Sequence, residues 1–180
     1  MLVLAETAKD APDSYGGKLE IKNEFKRLVN DVMLKLKKEK VINKQQPENV
    51  VLAGHSGAYR VMAYILQNGN VPVKEVILFD ALYGETDKFI QWIKEDTAHR
   101  FINIYTNGGG TDVESKEMIK KLTSENISSF TLEEPELTPG ILQHHRVVVI
   151  HSLHKHNDII QSPDNFKLFI ENSVLQKIDK

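Results

Sequence analysis

Short runs of apolar residues alternate with longer amphipathic stretches along this chain, which is the pattern of a sheet covered by helices. Branched and aromatic residues dominate the short runs, as expected of strands buried on both faces. The predicted strands span residues 2–5, 50–53, 76–79, 101–105, 127–132 and 147–150. The strand at 2–5 stands almost at the start of the chain.

Apolar residues recur at spacings of three and four between these runs, which predicts amphipathic helices. The clearest helix is predicted over residues 20–40, with a lysine- and glutamate-rich outer face. Thr111 and Glu114 have the spacing of a capping box at a helix start, and Ser162-Pro163-Asp164 predicts the start of the closing helix. The alternation predicts an α/β fold, a three-layer sandwich with a mostly parallel sheet, in one domain over residues 1–180.

Composition excludes several classes of function. The 23 Lys and Arg residues nearly balance 25 Asp and Glu residues, so no nucleic-acid partner is indicated. The chain has no cysteine, which excludes disulfides and a cysteine nucleophile. No apolar run has the length of a membrane span, and the apolar start at 1–5 is too short for a signal peptide. The oligomeric state and the compartment stay open: cytoplasmic if Met1 is the native start, exported if the chain has been trimmed.

The segment Gly54-His55-Ser56-Gly57-Ala58 lies between a predicted buried strand and an amphipathic helix. A serine at the tip of such a strand–turn–helix needs small residues two positions before and two positions after it, because strand and helix crowd together there. Gly54 and Ala58 meet that requirement. The alternative interpretation is a serine that only caps the helix N-terminus.

This segment resembles the nucleophile elbow of the α/β-hydrolase family, with Ala58 in place of the family's second glycine. The resemblance implies an α/β-hydrolase-like fold in which Ser56 is the nucleophile. Members of that family carry further strands before the elbow strand, whereas this chain opens on the strand at 2–5. We therefore expect that the chain lacks the family's first strands, the alternative being a minimal version of the fold.

Chemically active side chains follow several predicted strands. Because ligand sites lie outside the carboxyl ends of parallel strands, we expect these side chains to converge there. They are Ser56, Asp80, Asp112, His151, His154 and His156. Their chain order of serine, acid and histidine is the order that α/β-hydrolases use. A serine hydroxyl needs an imidazole to take its proton and a carboxylate to orient that imidazole.

The base is predicted to be His156, because the segment 156–160 resembles the loop before the family's last helix. His154 is the second candidate. His151 directly continues a strand and is expected to be a packed, hydrogen-bonded histidine. The acid is predicted to be Asp80, which a rigid strand places at the sheet edge. Asp112 is the alternative acid, although a carboxylate in the first turn of a helix is favourable without catalysis.

An acyl-transfer site also needs N–H donors for the oxyanion. The Gly57 N–H is the predicted first donor, and the only upstream candidate for the second is the loop around Glu6 and Thr7. The prediction is therefore a serine hydrolase that cleaves an ester or amide in a small-molecule or peptide substrate through an acyl-enzyme, without a cofactor. If a missing strand supplied the second donor, the chain would be a folded but inactive hydrolase-like binding domain.

Two interpretations from other classes stay open. His151, His154 and His156 could bind one zinc ion with Asp158 as a carboxylate ligand, giving a metal-dependent hydrolase. The glycine-rich segment 107–111 could instead bind a phosphate at a helix N-terminus in a flavodoxin-like module.

Overall fold

The fold is an alternation of strands and helices, seen in a computed structural model that describes residues 1–4, 16–161 and 164–176. The strands are β1 (Val50–His55), β2 (Val73–Phe79), β3 (Arg100–Thr106), β4 (Phe130–Glu133) and β5 (Val147–Ser152). The helices are α1 (Glu24–Lys38), α2 (Ala58–Asn68), α3 (Thr86–Glu95), α4 (Gly109–Ser124), α5 (Pro139–His144) and α6 (Asn165–Glu171), with 3₁₀ turns at Gly17–Glu20 and Glu134–Glu136.

The five strands form one sheet in the order β1-β2-β3-β5-β4, and every neighbouring pair is parallel. His55 pairs with Phe79 in the register of β1 and β2, so these two strands end side by side. Their carboxyl ends therefore deliver the residues that follow, Ser56 and Asp80, to the same edge of the sheet.

Helices cover both faces of the sheet. On one face, residues from α1 to α4 pack against inward side chains such as Leu78 and Phe101. On the other face, α5 and α6 pack against Phe79, Ile104 and Ile150. The strands are nearly continuous apolar runs because both of their faces are buried. The predicted α/β three-layer sandwich with a parallel sheet is confirmed.

The strand predicted over 2–5 is wrong for the residues that the structure describes. Leu2, Val3 and Leu4 form no strand, and Leu2 and Leu4 are 63% and 87% exposed. An apolar run becomes a strand only where a neighbouring backbone completes its hydrogen-bond ladder, and this segment has none. It lies instead beside an open cavity of about 650 Å³ along β1. Ala5 and the loop at 6–15 lie outside the described residues.

The first helix is shorter than the prediction of 20–40. It begins at Glu24, because Glu20 belongs to the preceding 3₁₀ turn and pairs with Arg60 of α2. The Arg60 guanidinium bonds both carboxylate oxygens, at 2.9 and 3.1 Å, and this contact lowers the pKa of Glu20. A long-range ion pair thus overrides the local helical pattern.

The remaining boundaries follow the predictions with small shifts. The strand predicted over 127–132 is β4, which lies at the sheet edge beyond β5. The closing helix begins at Asn165, with the Asp164 side chain accepting the Lys167 N–H at its N-terminus. Ser162 and Pro163 lie outside the described residues. Among the helices that the structure describes, none combines the length and apolar character needed to cross a membrane.

Glu75 is a buried carboxyl near the start of β2, far along the strand from its carboxyl end. The side chain is fully buried, and its Oε2 accepts the Val174 N–H at 2.7 Å and lies 3.4 Å from Arg100 Nη1. Burial raises the pKa of Glu75 to about 7, against the opposing effects of Arg100 and the Val174 N–H. The folded state therefore holds a proton that the unfolded chain releases at lower pH.

We expect Glu75→Gln to flatten the pH dependence of stability. Folding raises the pKa of Glu75 from 4.5 to about 7. The contribution of this carboxyl to the free energy of unfolding is therefore complete below pH 4.5 and is lost as the pH rises through 7. The loss is on the order of 3 kcal/mol. Urea unfolding between pH 4.5 and 8 measures it. The exposed Glu95→Gln serves as the control, and equal pH slopes for both variants would contradict the assignment.

Candidate functional site

Ser56 lies at the tip of the turn between β1 and α2. β1 ends at His55, and α2 begins at Ala58. The Ser56 backbone has φ 55°, in the left-handed region, where a residue with a Cβ costs about 1–2 kcal/mol. The Ser56 N–H donates to the Phe79 carbonyl at 3.3 Å, which extends the β1–β2 pairing by one bond. The half-buried serine therefore stands in a strained turn, as the elbow prediction requires.

The close approach of β1 and α2 requires a glycine at position 54. A Cβ at this position would lie 2.6 Å from the Ala58 Cβ and 2.5 Å from the Met62 Sδ. The absence of a side chain at Gly54 leaves room for the methyl group of Ala58, two positions after Ser56. Steric crowding at this turn is thus relieved from the strand side.

Asp80 directly follows β2 and is 2% exposed. Its backbone is also left-handed, with φ 44°. Oδ1 accepts the Thr106 N–H at 3.0 Å and the Thr111 hydroxyl at 2.5 Å, while Oδ2 accepts the Thr106 hydroxyl at 2.7 Å. A fourth bond, at 2.6 Å, joins Oδ2 to His156 Nδ1. The carboxylate is therefore surrounded by donors from β3, α4 and the loop after β5.

These donors decide the protonation state of Asp80. Burial by itself raises the pKa of the carboxyl, but the hydrogen bonds from Thr111, His156 and Thr106 together outweigh it and lower the pKa. Asp80 is thus an ionised, buried carboxylate at neutral pH. Such a group orients an imidazole and stabilises its cationic form.

His156 lies in the turn after β5 and brings its ring over the ends of β1 and β2. Its ring stacks on the His55 ring, with centroids 4.5 Å apart and an interplanar angle of 30°. The Tyr83 ring approaches edge-on at 6.3 Å. Because Nδ1 donates to Asp80, the neutral ring keeps its lone pair on Nε2. Within the described residues, neither Nε2 nor the Ser56 hydroxyl forms a hydrogen bond, so the predicted Ser–His contact is not made here.

The structure separates the other candidate histidines from this site. His151 bonds Glu133 through Nδ1 at 2.7 Å and Asn107 through Nε2 at 2.8 Å, as predicted for a packed, hydrogen-bonded histidine. His154, the alternative base, lies with Nε2 3.5 Å from Glu134.

The predicted zinc ligand set is not assembled, since each of the three histidines faces a different carboxylate. Across residues 1–4, 16–161 and 164–176, no three His, Asp or Glu side chains are grouped to hold a metal ion. The end of β5 and the turn after it direct these side chains apart. The zinc ligand set predicted from their spacing in the sequence therefore does not form.

Asp112, the alternative acid, lies in the first turn of α4 and pairs with Lys116 at 2.7 Å. No histidine contacts it in the described part of the chain. The helix begins at Gly109, and the preceding Gly108 has φ 81°. The Asn107 side chain forms a hydrogen bond with His151. Phosphate binding by this glycine-rich turn remains a prediction.

Gly57, the predicted oxyanion donor, is the N-cap residue of α2. N–H groups at a helix N-terminus lack intrahelical acceptors and are available to an anion. The predicted second donor, in the loop around Glu6 and Thr7, lies outside the described residues.

Several residues in contact with the site were not identified from the sequence. Thr106 and Thr111 hold Asp80, and His55 and Tyr83 pack against His156. The capping box predicted at Thr111 and Glu114 is wrong: Gly108 is the N-cap, Thr111 donates to Asp80, and Glu114 accepts the Thr86 hydroxyl. The one available signal was position, since Thr106 ends a strand and His55 precedes the serine.

Comparison of the chain with protein-family models, with curated proteins and with solved structures finds no match.

The strain at Ser56 predicts an unusual order of stability. Glycine adopts φ 55° without the steric cost of a Cβ. We therefore expect the free energy of unfolding of Ser56→Gly to be about 1 kcal/mol larger than that of Ser56→Ala. Urea unfolding of both variants measures the difference. The control pair is Ser124→Ala and Ser124→Gly in α4. We expect the alanine variant to be the more stable of these two, since glycine is the poorer helix former. An Ala variant at 56 as stable as the Gly variant would contradict a strained turn.

Proposed function

We propose that this protein is a serine hydrolase that cleaves an ester or amide bond through an acyl-enzyme. Ser56 is the nucleophile, His156 the general base and Asp80 the residue that orients the base. The observation that carries the proposal is the 2.6 Å bond between His156 Nδ1 and the buried Asp80 carboxylate, formed beside the strained serine turn.

The chemistry follows from these groups. The Ser56 oxygen attacks the substrate carbonyl carbon while its proton passes to His156 Nε2. Collapse of the tetrahedral intermediate breaks the bond to the leaving alcohol or amine, which takes the proton from His156. Water then attacks the acyl-enzyme by the same route, releasing the acid and restoring the hydroxyl.

Asp80 supports the charged intermediate of that cycle. The imidazolium formed at His156 would be strongly disfavoured in a partly buried site without an anionic neighbour. Asp80 supplies that charge, and Thr106 and Thr111 hold its oxygens in place. The Asp80–His156 bond also fixes the tautomer, so that Nε2 and not Nδ1 takes the serine proton.

The proposal requires the Ser56 hydroxyl to turn toward His156 Nε2 once substrate is bound. Catalytic hydrogen bonds are often loose before substrate arrives and tighten in the complex. The Gly57 N–H at the start of α2 then faces the oxyanion, in the manner of donors that follow a nucleophile.

A series of p-nitrophenyl esters of increasing acyl length tests the nucleophile. We expect the wild-type protein to release p-nitrophenol and Ser56→Ala to lose at least about 10³-fold in kcat, because the hydroxyl forms the acyl bond. Ser124→Ala, on the far end of α4, is the matched control and should retain activity. Equal turnover by the wild type and Ser56→Ala would remove Ser56 from the mechanism, and no turnover of any ester by the wild type would count against the proposal.

Replacement of the acid tests the choice between two carboxylates. Asp80→Asn places an amide opposite His156 Nδ1, which favours the tautomer with its proton on Nε2 and so removes the base. We expect a loss on the order of 10³- to 10⁴-fold in kcat. Asp112→Asn removes an ion pair with Lys116 that does not touch His156, and it should leave kcat within about twofold. A large loss in Asp112→Asn with none in Asp80→Asn would reverse the assignment.

A further inference from the structure

His55 makes two contacts with one residue, His156. Its ring stacks on the His156 ring at 4.5 Å, and its Nε2 lies 2.9 Å from the His156 backbone carbonyl oxygen. His55 is the last residue of β1 and pairs in register with Phe79. A residue on a rigid strand thus holds both the side chain and the main chain of a residue on a turn.

The chemistry of these contacts defines the role of His55. A carbonyl oxygen only accepts, so His55 Nε2 carries the proton and donates it. With that nitrogen committed to the carbonyl, the Nε2 of His55 cannot take a proton from Ser56. The lone pair of the neutral His55 ring then lies on Nδ1.

His156 needs such support because no regular element carries it. It begins the turn that follows β5, where the Asp158 N–H bonds the Lys155 carbonyl at 2.9 Å. The Asp80 bond fixes one ring atom, which still allows the ring to swing about that point. The His55 ring blocks this swing on one face, and its bond to the carbonyl fixes the backbone from which the ring extends.

We propose that His55 is a positioning residue for His156, which limits the orientations of the base so that Nε2 can accept the Ser56 proton once substrate is bound. The inference rests on the proposed hydrolase function for its kinetic consequence but not for its structural one. A displacement of about 1 Å at a reacting group can lower a rate by about 10²-fold. The proposal therefore assigns His55 an effect on kcat and little effect on substrate binding.

Three variants separate the two contacts. His55→Phe keeps a stacking ring and removes the donor, His55→Gln keeps an amide donor and removes the ring, and His55→Ala removes both. The matched control is His99→Ala, because His99 stacks on Trp92 at 4.3 Å and its Nδ1 lies 2.7 Å from the Trp92 carbonyl oxygen, away from the site. His99→Ala loses the same two kinds of contact.

The first measurement needs no substrate. Proton NMR of protein labelled with ¹⁵N-histidine should show a strongly deshielded His156 Nδ1–H, as expected of a short bond to a carboxylate, and Asp80→Asn assigns it by removing it. We expect His55→Ala to broaden or abolish this signal through faster exchange, and His99→Ala to leave it unchanged. An unchanged signal in His55→Ala would overturn the positioning role.

The second measurement uses p-nitrophenyl ester hydrolysis. We expect His55→Ala to lower kcat about 10- to 100-fold with KM changed less than threefold. His55→Phe and His55→Gln should each show part of the loss, and His99→Ala none. Wild-type kcat in a folded His55→Ala protein would overturn the inference. If the wild-type protein hydrolyses no ester while the NMR signal still depends on His55, the positioning stands and the hydrolase proposal fails.

Discussion

The Asp80 carboxylate accepts four hydrogen bonds at a place from which solvent is almost excluded, and the other candidate groups are arranged around those bonds. A buried carboxylate with missing donors is strongly destabilising. The end of β3, which supplies Thr106, and the start of α4, which supplies Thr111, must therefore converge on β2. His156 supplies the fourth bond, so the turn after β5 is drawn to the same edge of the sheet.

Two residues with left-handed backbones lie at the same edge. Ser56 and Asp80 follow neighbouring parallel strands, and both have left-handed backbones. The sheet holds them by one further hydrogen bond each, from Ser56 N–H to the Phe79 carbonyl and from Asp80 N–H to the Ile104 carbonyl at 2.7 Å. A strained backbone of this kind persists only where several surrounding contacts hold it in place. Here the constraint comes from the sheet pairing and from the close packing at Gly54.

The features that the sequence predicted well are local ones. Buried strands produce continuous apolar runs, so β1, β2 and β3 were found, and with them the positions of Ser56 and Asp80 at strand ends. The features that it missed depend on residues far apart in the chain. The Thr111 hydroxyl bonds a carboxylate 31 positions away, which overrides a local capping pattern.

The same distinction explains the errors at the N-terminus and at the histidines. The apolar residues Leu2–Leu4 have the composition of a strand but no partner ladder. His151, His154 and His156 are close in sequence, yet the end of β5 and the turn after it direct them to three different carboxylates. Sequence spacing does not show which way a turn points its side chains, whereas the strand register that brings Ser56 beside Asp80 follows from parallel pairing.

Covalent labelling by a fluorophosphonate is the sharpest test of Ser56 as an activated nucleophile, because the reagent reports such a serine without knowledge of the substrate. The site of modification can be mapped by peptide mass spectrometry. We expect a single adduct on Ser56 in the folded protein, a labelling rate that falls by at least about 10²-fold in His156→Gln, and no adduct after denaturation. An unlabelled folded protein, or a Ser56 that reacts equally well without the His156 imidazole, would contradict it.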